Sequence, residues 1–428
     1  MPQIFFSAMQ SFGRATYFDT IIRVVLAVYI AVLPFKALLI LERNGFIFLL
    51  GLLVGWCILN QRFFYSQTPY DMPLLVFVLW VGLTIPFAVA PLYSLREYGK
   101  LLQQMVVFYA VLYFFKTLRP RMVLLWLIGV VASIVTVYGL GQLNLQNPQA
   151  VVSVFSAEVW FTTFLVMGIP FFLVLALGNG PLKVRSASAA VGGLMIVCLL
   201  GTQSRAGMVA LVGEIWVLAW FLRSVSSRIV GIIVTASVIA MAALVFDESA
   251  AGVSADIANV FPVKKGISSM LHRFAIWDFS LSEIAKHWLV GIGYGNLSYP
   301  LLYAQNEEVV TGGHYSVMRA GTHNIGLYLA LHVGLPGLLL FGWFIARVLR
   351  KTAEAYHHAQ KWVSKGILLG TLSSITGLIL RLQFDQMFVG SLAVLCWVLL
   401  ALAVLSSSGC AEPAQDSYVG QSGVAVKV

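Results

Sequence analysis

Long apolar stretches separated by short polar breaks constrain the fold of this chain more than any other sequence feature. A transmembrane helix needs about 20 predominantly apolar residues. Of the 428 residues, 60% are hydrophobic and 10% are charged, whereas soluble domains carry about 25% charged residues. The sequence therefore predicts an all-α polytopic membrane protein without a soluble catalytic domain.

The apolar stretches predict about twelve transmembrane helices. A single helix over 188–222 would be about 50 Å long and would exceed a bilayer core of about 30 Å. We therefore predict two helices here, which form a hairpin at "TQSRAG" with Arg205 in the turn. The twelve predicted spans are 19–33, 45–60, 73–90, 99–115, 122–139, 157–177, 188–204, 206–222, 229–246, 322–346, 364–381 and 387–406.

Lysine and arginine residues are dense in the short loops on one side of the predicted topology. Short cationic loops favour the cytoplasmic side, so we predict that both termini are cytoplasmic. The net charge of +10 is explained by these loops, and we expect membrane lipids but no nucleic acid as partners. The predicted order is helices 1–9 in 1–246, an outer segment over 247–321, helices 10–12 in 322–406 and a cytoplasmic tail over 407–428.

The cysteines and carboxylates predict neither a disulfide nor a metal site. Cys57, Cys198 and Cys396 lie in apolar stretches, and Cys410 lies in the polar tail. The acidic residues of 247–321 are scattered, whereas a hard cation needs several oxygen ligands close together. We expect no bound metal and no cofactor.

The outer segment contains a predicted amphipathic helix, "SSMLHRFAIWDFSLSEIAKHW", followed by the glycine-rich turn "GIGYGN". Apolar residues at steps of three and four favour a helix that lies against the membrane surface. In this helix Arg273 and Trp277 are one turn apart. The apolar positions are Leu271, Phe274, Trp277, Leu281 and Ile284.

The tenth predicted span begins in the segment "RAGTHNIGLYLALHVGLPGLLLF". Thr322 or Asn324 is expected to cap this helix, because both side chains accept hydrogen bonds from free backbone N–H groups. His323 then lies at the outer end of the helix, either as a functional residue or as a solvated interfacial histidine. Gly334 and Pro336 predict a kink further along the helix.

Cations on the predicted outer side are candidate ligands for an anionic substrate. Arg205 differs from the rest, because a tight hairpin prevents its side chain from reaching freely to the lipid headgroups. The planar guanidinium suits bidentate contacts to a diphosphate. The complete set is Lys36, Arg43, Arg96, Lys100, Arg205, Arg273, Arg319 and Arg381. An alternative role as membrane anchors stays open for Lys36, Arg43, Arg96 and Lys100.

Three segments, "TQSRAGMVALVG", "HRFAIWDFSLSEIAKHWLVGIGYGN" and "GTHNIGLYLALHVGLPGLLLF", resemble the O-antigen ligase and polymerase superfamily of bacterial inner membranes. The resemblance lies between about 195 and 345 and looks closest to the lipopolysaccharide O-antigen ligases. It implies a metal-independent, inverting glycosyl transfer at the periplasmic face. The implied donor is an O-antigen linked to undecaprenyl diphosphate, and the implied acceptor is a sugar hydroxyl of the lipid A core oligosaccharide.

The resemblance also implies essential roles for Arg205, Arg273 and His323. Histidine has a pKa suited to a general base at neutral pH, and arginines can stabilise the charge on a departing diphosphate. Asp385, at the outer end of the eleventh span, is expected to pair with an arginine or to orient a histidine. Trp277 is expected to support the site from the amphipathic helix.

Two alternative functions share part of this sequence pattern. An O-antigen polymerase would use the same donor with a growing glycan as the acceptor. A transporter or flippase of polyprenyl-linked glycans would bind substrate through the outer arginines without bond chemistry. Transporters often contain internal repeats, and we find no convincing repeat in this sequence.

Overall fold

The computed structural model describes residues 2–143, 150–222, 232, 265–304, 321–385 and 390–408. Regular secondary structure in these ranges is helical throughout, which confirms the predicted all-α class. The first helices are α1 (Pro2–Val32), α2 (Leu39–Asn60), α3 (Asp71–Thr84), α4 (Pro91–Phe114), α5 (Leu118–Leu140), α6 (Glu158–Leu177), α7 (Leu182–Gly201) and α8 (Arg205–Leu222). The later helices are α9 (Lys265–Lys286), α10 (Ser298–Ala304), α11 (Ile325–His358), α12 (Trp362–Leu382) and α13 (Gly390–Ser408).

Eight described helices are long and apolar enough to cross a membrane. They correspond to eight of the twelve predicted spans and make the chain a multi-pass membrane protein. These candidate spans are Lys36–Asn60, Leu118–Leu140, Glu158–Leu177, Leu182–Gly201, Arg205–Leu222, Ile325–His358, Trp362–Leu382 and Gly390–Ser407.

Helices also cover the predicted spans 19–33, 73–90 and 99–115. Over the second of these, Asp71–Phe87 is a shorter apolar helix. The predicted span 229–246 lies outside the described residues, apart from position 232. The count of twelve spans, and the side of the membrane on which each loop lies, therefore stay predictions.

The helix break predicted at "TQSRAG" is present, with residues 202–204 between α7 and α8. Gln203 adopts a positive φ of 57° in the turn. The Ser204 hydroxyl accepts a hydrogen bond from the backbone N–H of Gly207, at 3.2 Å, and so caps the first turn of α8. Arg205 is the first residue of α8, so the turn presents its side chain at one end of the helix bundle.

Helix α12 lies at the centre of the bundle and packs most extensively against α6 and α8. The hydroxyl groups of small side chains on α12 donate hydrogen bonds to backbone carbonyls of neighbouring helices, as is common between membrane helices. Ser373 donates to the carbonyl of Glu214 in α8 at 2.8 Å, and Ser374 donates to the carbonyl of Met167 in α6 at 3.0 Å. This packing fixes the end of α12 that carries Arg381.

The predicted kink in α11 is present at Gly334, where φ is 76° and ψ is 170°, two residues before Pro336. Residues 288–293 fill the break and satisfy backbone groups that a continuous helix would have paired. For example, the N–H of Ile292 donates to the carbonyl of Leu331 at 2.9 Å. The segment after α9 is thereby fixed against the middle of α11.

The glycine-rich segment after α9 forms the predicted turn. Gly291, Gly293 and Gly295 all have positive φ angles, of 72°, 112° and 121°. A Cβ atom at Gly291 would overlap the backbone of His332, so the close approach of this turn to α11 requires glycine. The turn therefore also serves the packing of this segment against α11.

Candidate active site

Four predicted site residues from separate parts of the chain are connected by pairwise electrostatic interactions, in which Arg273 takes part with each of the other three. Arg273 on α9 is influenced by both Asp385 and Arg205. His323, just before α11, is influenced by Asp385 and Arg273. We call Arg205, Arg273, His323 and Asp385 the polar cluster. It gathers at the bundle end where α8 and α11 begin and α12 ends.

The two arginines of the polar cluster create a site of positive charge. Burial lowers the pKa of Arg273, the nearby Asp385 carboxylate opposes this change, and the nearby Arg205 adds to it. The guanidinium of Arg273 is half-buried, whereas Arg205 is exposed. Among the described residues, Asp385 is the carboxylate that offsets these two neighbouring cations. Such an arrangement is suited to bind an anion with several negative charges, such as a diphosphate.

His323 occupies a strained and partly enclosed position. Its φ angle is +48°, a conformation that residues other than glycine seldom adopt and that is enriched at functional sites. Burial lowers the pKa of His323 from 6.5, Asp385 acts in the opposite direction, and Arg273 contributes a further decrease. The imidazole is therefore neutral at pH 7 and able to accept a proton.

Trp277 holds the segment that precedes His323. Its indole Nε1 donates a hydrogen bond to the carbonyl of Thr322 at 3.1 Å. Because Trp277 is one turn from Arg273 on α9, this bond fixes the arginine-bearing helix relative to the histidine. The supporting role of Trp277 in the site stays a prediction, and this hydrogen bond is the contact through which it would act.

Replacement of Trp277 by phenylalanine is expected to lower turnover about 2- to 10-fold, which corresponds to one neutral hydrogen bond. The effect should fall on kcat and leave KM unchanged, because the lost bond orients His323 and does not contact substrate. Steady-state assays of the purified enzyme measure both constants. Trp126→Phe, at a position on α5 that is 63% exposed, is the matched control, and equal kinetics of the two variants would contradict this positioning role.

Asn324 fixes the other side of His323. Its side-chain oxygen accepts a hydrogen bond from the N–H of Leu327 at 3.0 Å, so Asn324 is the cap of α11 and Thr322 is not. Its Nδ2 donates to both the backbone and the side-chain oxygen of Gln383, each at 3.2 Å. His323 therefore lies between two anchored residues.

Arg381 lies deeper in the protein than the other cations. It is 1% exposed, donates from Nη2 to the carbonyl of Val159 at 2.7 Å, and approaches Asp385 to 3.5 Å. The arginine pairing expected for Asp385 is thus present. Nε and Nη1 of Arg381 have no hydrogen-bond partner among the described residues.

The remaining predicted ligands are less closely tied to the polar cluster. Lys36, Arg43 and Arg96 are exposed, and Lys100 pairs with Glu97 at 2.6 Å. Their positions suit either substrate contacts or membrane anchoring. Arg319 lies outside the described residues.

Within the ranges that the structure describes, no group of three or more histidine, cysteine or carboxylate side chains could hold a metal ion. The chemistry assembled at the polar cluster consists of two guanidinium groups, one imidazole and one carboxylate. Such a set can bind an anion and transfer a proton.

The sequence analysis did not identify two residues that are important in the structure, Gln383 and Glu214. Gln383 links the end of α12 to the cap of α11 through its hydrogen bonds with Asn324. The one sequence signal for Gln383 is that it lies between Arg381 and Asp385 in the chain. Glu214 lies fully buried in α8, and neither carboxyl oxygen has a hydrogen-bond partner among the described residues. A carboxylate within "ALVGEIWVL" is itself a signal, since ionisable residues are rare in membrane spans.

Comparison with known proteins gives one family for this region. Residues 190–342 match the family model described as O-antigen ligase. The matched range contains Arg205, Arg273 and His323, and it ends before Arg381 and Asp385. No curated protein matches the chain.

Proposed function

We propose, from the match of residues 190–342 to the O-antigen ligase family model, that the chain is a glycosyltransferase of the bacterial inner membrane. Its proposed donor is an O-antigen carried on undecaprenyl diphosphate. Its proposed acceptor is a sugar hydroxyl of the lipid A core oligosaccharide at the periplasmic face. The observation that carries this proposal is the placement of Arg273 within electrostatic range of both Arg205 and His323.

The donor diphosphate binds between Arg205 and Arg273 in this proposal. Cleavage of the bond between the sugar and the diphosphate leaves negative charge on the departing phosphate oxygen. Cations already in place stabilise that charge more in the transition state than in the ground state, by about 3 to 4 kcal/mol for one well-placed donor. Arg381 contributes through Nε and Nη1, which the described residues leave unpaired.

The acceptor hydroxyl transfers its proton to His323 as its oxygen attacks the anomeric carbon. A new C–O bond forms from the side opposite the diphosphate, the old C–O bond breaks, and the configuration inverts. The electron pair of the old bond leaves with the diphosphate. Asp385 stabilises the imidazolium that forms, and its contact with Arg381 at 3.5 Å holds it in place.

The membrane arrangement completes the proposal. Both termini and the tail over 407–428 face the cytoplasm, twelve helices span the inner membrane, and the segment 247–321 faces the periplasm. Lys36, Arg43, Arg96, Lys100 and Arg319 bind acidic groups of the substrates there. The reaction needs neither a metal nor a cofactor.

Reconstitution with defined substrates tests this function. The purified protein is incubated in detergent with lipid-linked O-antigen and lipid A core, and the products are separated by size. Ligation produces a glycan attached to the lipid A core, which is the expected result. Elongation of the donor would indicate the polymerase instead, and movement of donor across a vesicle membrane without a new bond would indicate a transporter.

The transfer rate is expected to depend on pH through His323. A general base works in its unprotonated form, so kcat/KM should rise with pH and reach half of its maximum at a pKa below 6.5, the ordinary value for histidine. Asp385→Asn removes the charge that favours imidazolium, so it should move this acidic limb to lower pH. Profiles of kcat/KM from acidic to neutral pH measure both effects. If kcat/KM of His323→Ala still decreases at acidic pH in the same way, His323 is not the titrating group.

A further inference from the structure

A pocket of about 250 Å³ lies at the end of the helix bundle opposite the polar cluster. It is enclosed by the ends of α6, α8 and α11 and by the start of α12. Val174 and Leu222 line it with apolar groups, whereas Lys365 and Gln360 line it with polar groups. The pocket is therefore a separate site from the candidate active site.

The polar lining supplies hydrogen-bond donors that the protein itself does not use. Lys365, Gln360 and Asn179 carry ammonium and amide N–H groups, and the indole of Trp362 adds another donor. Among the described residues, none of these four side chains has a hydrogen-bond or ion-pair partner. Phosphate oxygens accept several hydrogen bonds, most strongly from charged donors, so this lining suits a phosphate group.

The chain segments that form the pocket are basic and contain no carboxylate over 174–185 and 356–366. Nε of Arg185 donates to the carbonyl of Ala176 at the end of α6, at 3.2 Å, so this guanidinium lies near the pocket. Glu354, the preceding carboxylate on α11, is already paired with Arg350 at 2.9 Å. An anion in the pocket therefore meets cations without a competing carboxylate from these segments. The cations of the two segments are Lys183, Arg185, Lys361 and Lys365.

The pocket lies at the level where membrane helices meet water. Three candidate membrane spans reach their limits there, because α6 ends at Leu177, α8 ends at Leu222 and α12 begins at Trp362. Tryptophan is enriched at this level of membrane proteins. Leu182 and Trp220, close in the chain to the lining residues, are each 76% exposed, and such apolar surface is suited to contact lipid chains.

We propose that this pocket binds the phosphate head group of an anionic phospholipid, whose acyl chains lie against the apolar surface around Leu182 and Trp220. Basic pockets between transmembrane helices on the cytoplasmic side bind the head groups of anionic lipids, and the predicted topology places this end of the bundle on that side. A soluble phosphate would leave the apolar lining in contact with water, which favours a lipid as the source of the phosphate. The bound lipid stabilises the bundle because it connects the ends of four helices.

Lys365 offers a substitution that changes the pocket without weakening the fold. It is exposed in the first turn of α12, where a positive charge is unfavourable to the helix dipole. Lys365→Gln should therefore be at least as stable as the wild-type protein without lipid, and Lys365→Arg keeps the charge. Lys116→Gln removes an exposed lysine between α4 and α5, on the same predicted side of the membrane, and is the matched control.

The experiment titrates the delipidated protein with phosphatidylglycerol and counts bound lipids by native mass spectrometry. We expect one lipid that binds more tightly than any other. Lys365→Gln should weaken its binding about tenfold, as for the loss of one hydrogen bond to a charged group, whereas Lys365→Arg and Lys116→Gln should bind it as the wild-type protein does. Phosphatidylglycerol should also raise the thermal unfolding midpoint of the wild-type protein more than that of Lys365→Gln.

Four results would overturn the inference. A wild-type protein without a tightly bound lipid, or equal affinities of Lys365→Gln and Lys116→Gln, would show that the pocket does not hold it. Equally tight binding of phosphatidylcholine would exclude recognition of an anionic head group, and displacement of the lipid by excess inorganic phosphate would assign the pocket to a soluble anion. None of these measurements uses a glycan substrate, so each of these results leaves the proposed function standing.

Discussion

His323→Ala is expected to abolish glycan transfer, with a decrease in kcat of about 10²- to 10⁴-fold, the usual contribution of a general base. The substitution removes the only group of the polar cluster that is both neutral at pH 7 and able to accept a proton. Arg205 and Arg273 remain, so binding of undecaprenyl diphosphate should change little. Single-turnover assays measure the chemical step, and a parallel binding titration measures the donor.

A matched substitution separates loss of the base from a general effect of removing histidine. His358 is exposed and ends α11 at the opposite end from His323, so His358→Ala should leave transfer unchanged. The positive φ angle of His323 means that alanine there could disturb the loop, and His323→Asn, which tolerates this conformation better, should be equally inactive. Normal turnover in His323→Asn would remove His323 as the base.

The positions and lengths of the apolar stretches were sufficient to predict most of the helical framework. The hairpin before Arg205 followed from the length of one apolar stretch compared with the thickness of a bilayer, because two short helices satisfy that limit and one long helix does not. The break in α11 followed from Gly334 and Pro336, which cannot continue a regular helix without adjustment. These features depend on local backbone chemistry, which a sequence displays directly.

Helix ends outside the apolar stretches were harder to predict. The tenth span was predicted to end at residue 346, but α11 continues to His358. Hydropathy reports the membrane-embedded part of a helix, whereas the last turns of α11 are polar. There Glu354 pairs with Arg350 at 2.9 Å and also contacts Lys351, and such neighbouring opposite charges favour a helix that extends into water.

Burial and long-range contacts within the site could not be read from the sequence. Arg205 follows a polar break at the start of α8 and Arg381 precedes one at the end of α12, yet Arg381 is buried and Arg205 is exposed. Packing of α12 against α6 and α8 decides that difference. Asn324 and Gln383 are 59 residues apart, and their hydrogen bonds depend on how α11 and α12 pack together.

Arg205→Lys is expected to lower kcat about 10²-fold or more, although it keeps the positive charge. A guanidinium can donate two parallel hydrogen bonds to phosphate oxygens, whereas an ammonium acts as a point charge. Loss of one well-placed donor to a developing anion is worth about 3 to 4 kcal/mol. Arg205 is exposed at the start of α8, so the substitution should not disturb folding, and the thermal unfolding midpoint provides the check.

The relation between kcat and KM distinguishes the two uses of Arg205. If its contacts strengthen as the bond to the diphosphate breaks, kcat falls and KM changes little, whereas a residue that only attracts the donor would raise KM alone. Arg350→Lys serves as the control, because Arg350 is an exposed arginine paired with Glu354 at the opposite end of the bundle. If Arg205→Lys has the kinetics of the wild-type protein, Arg205 contributes only its positive charge. The stabilisation of the departing diphosphate would then have to come from Arg273 and Arg381.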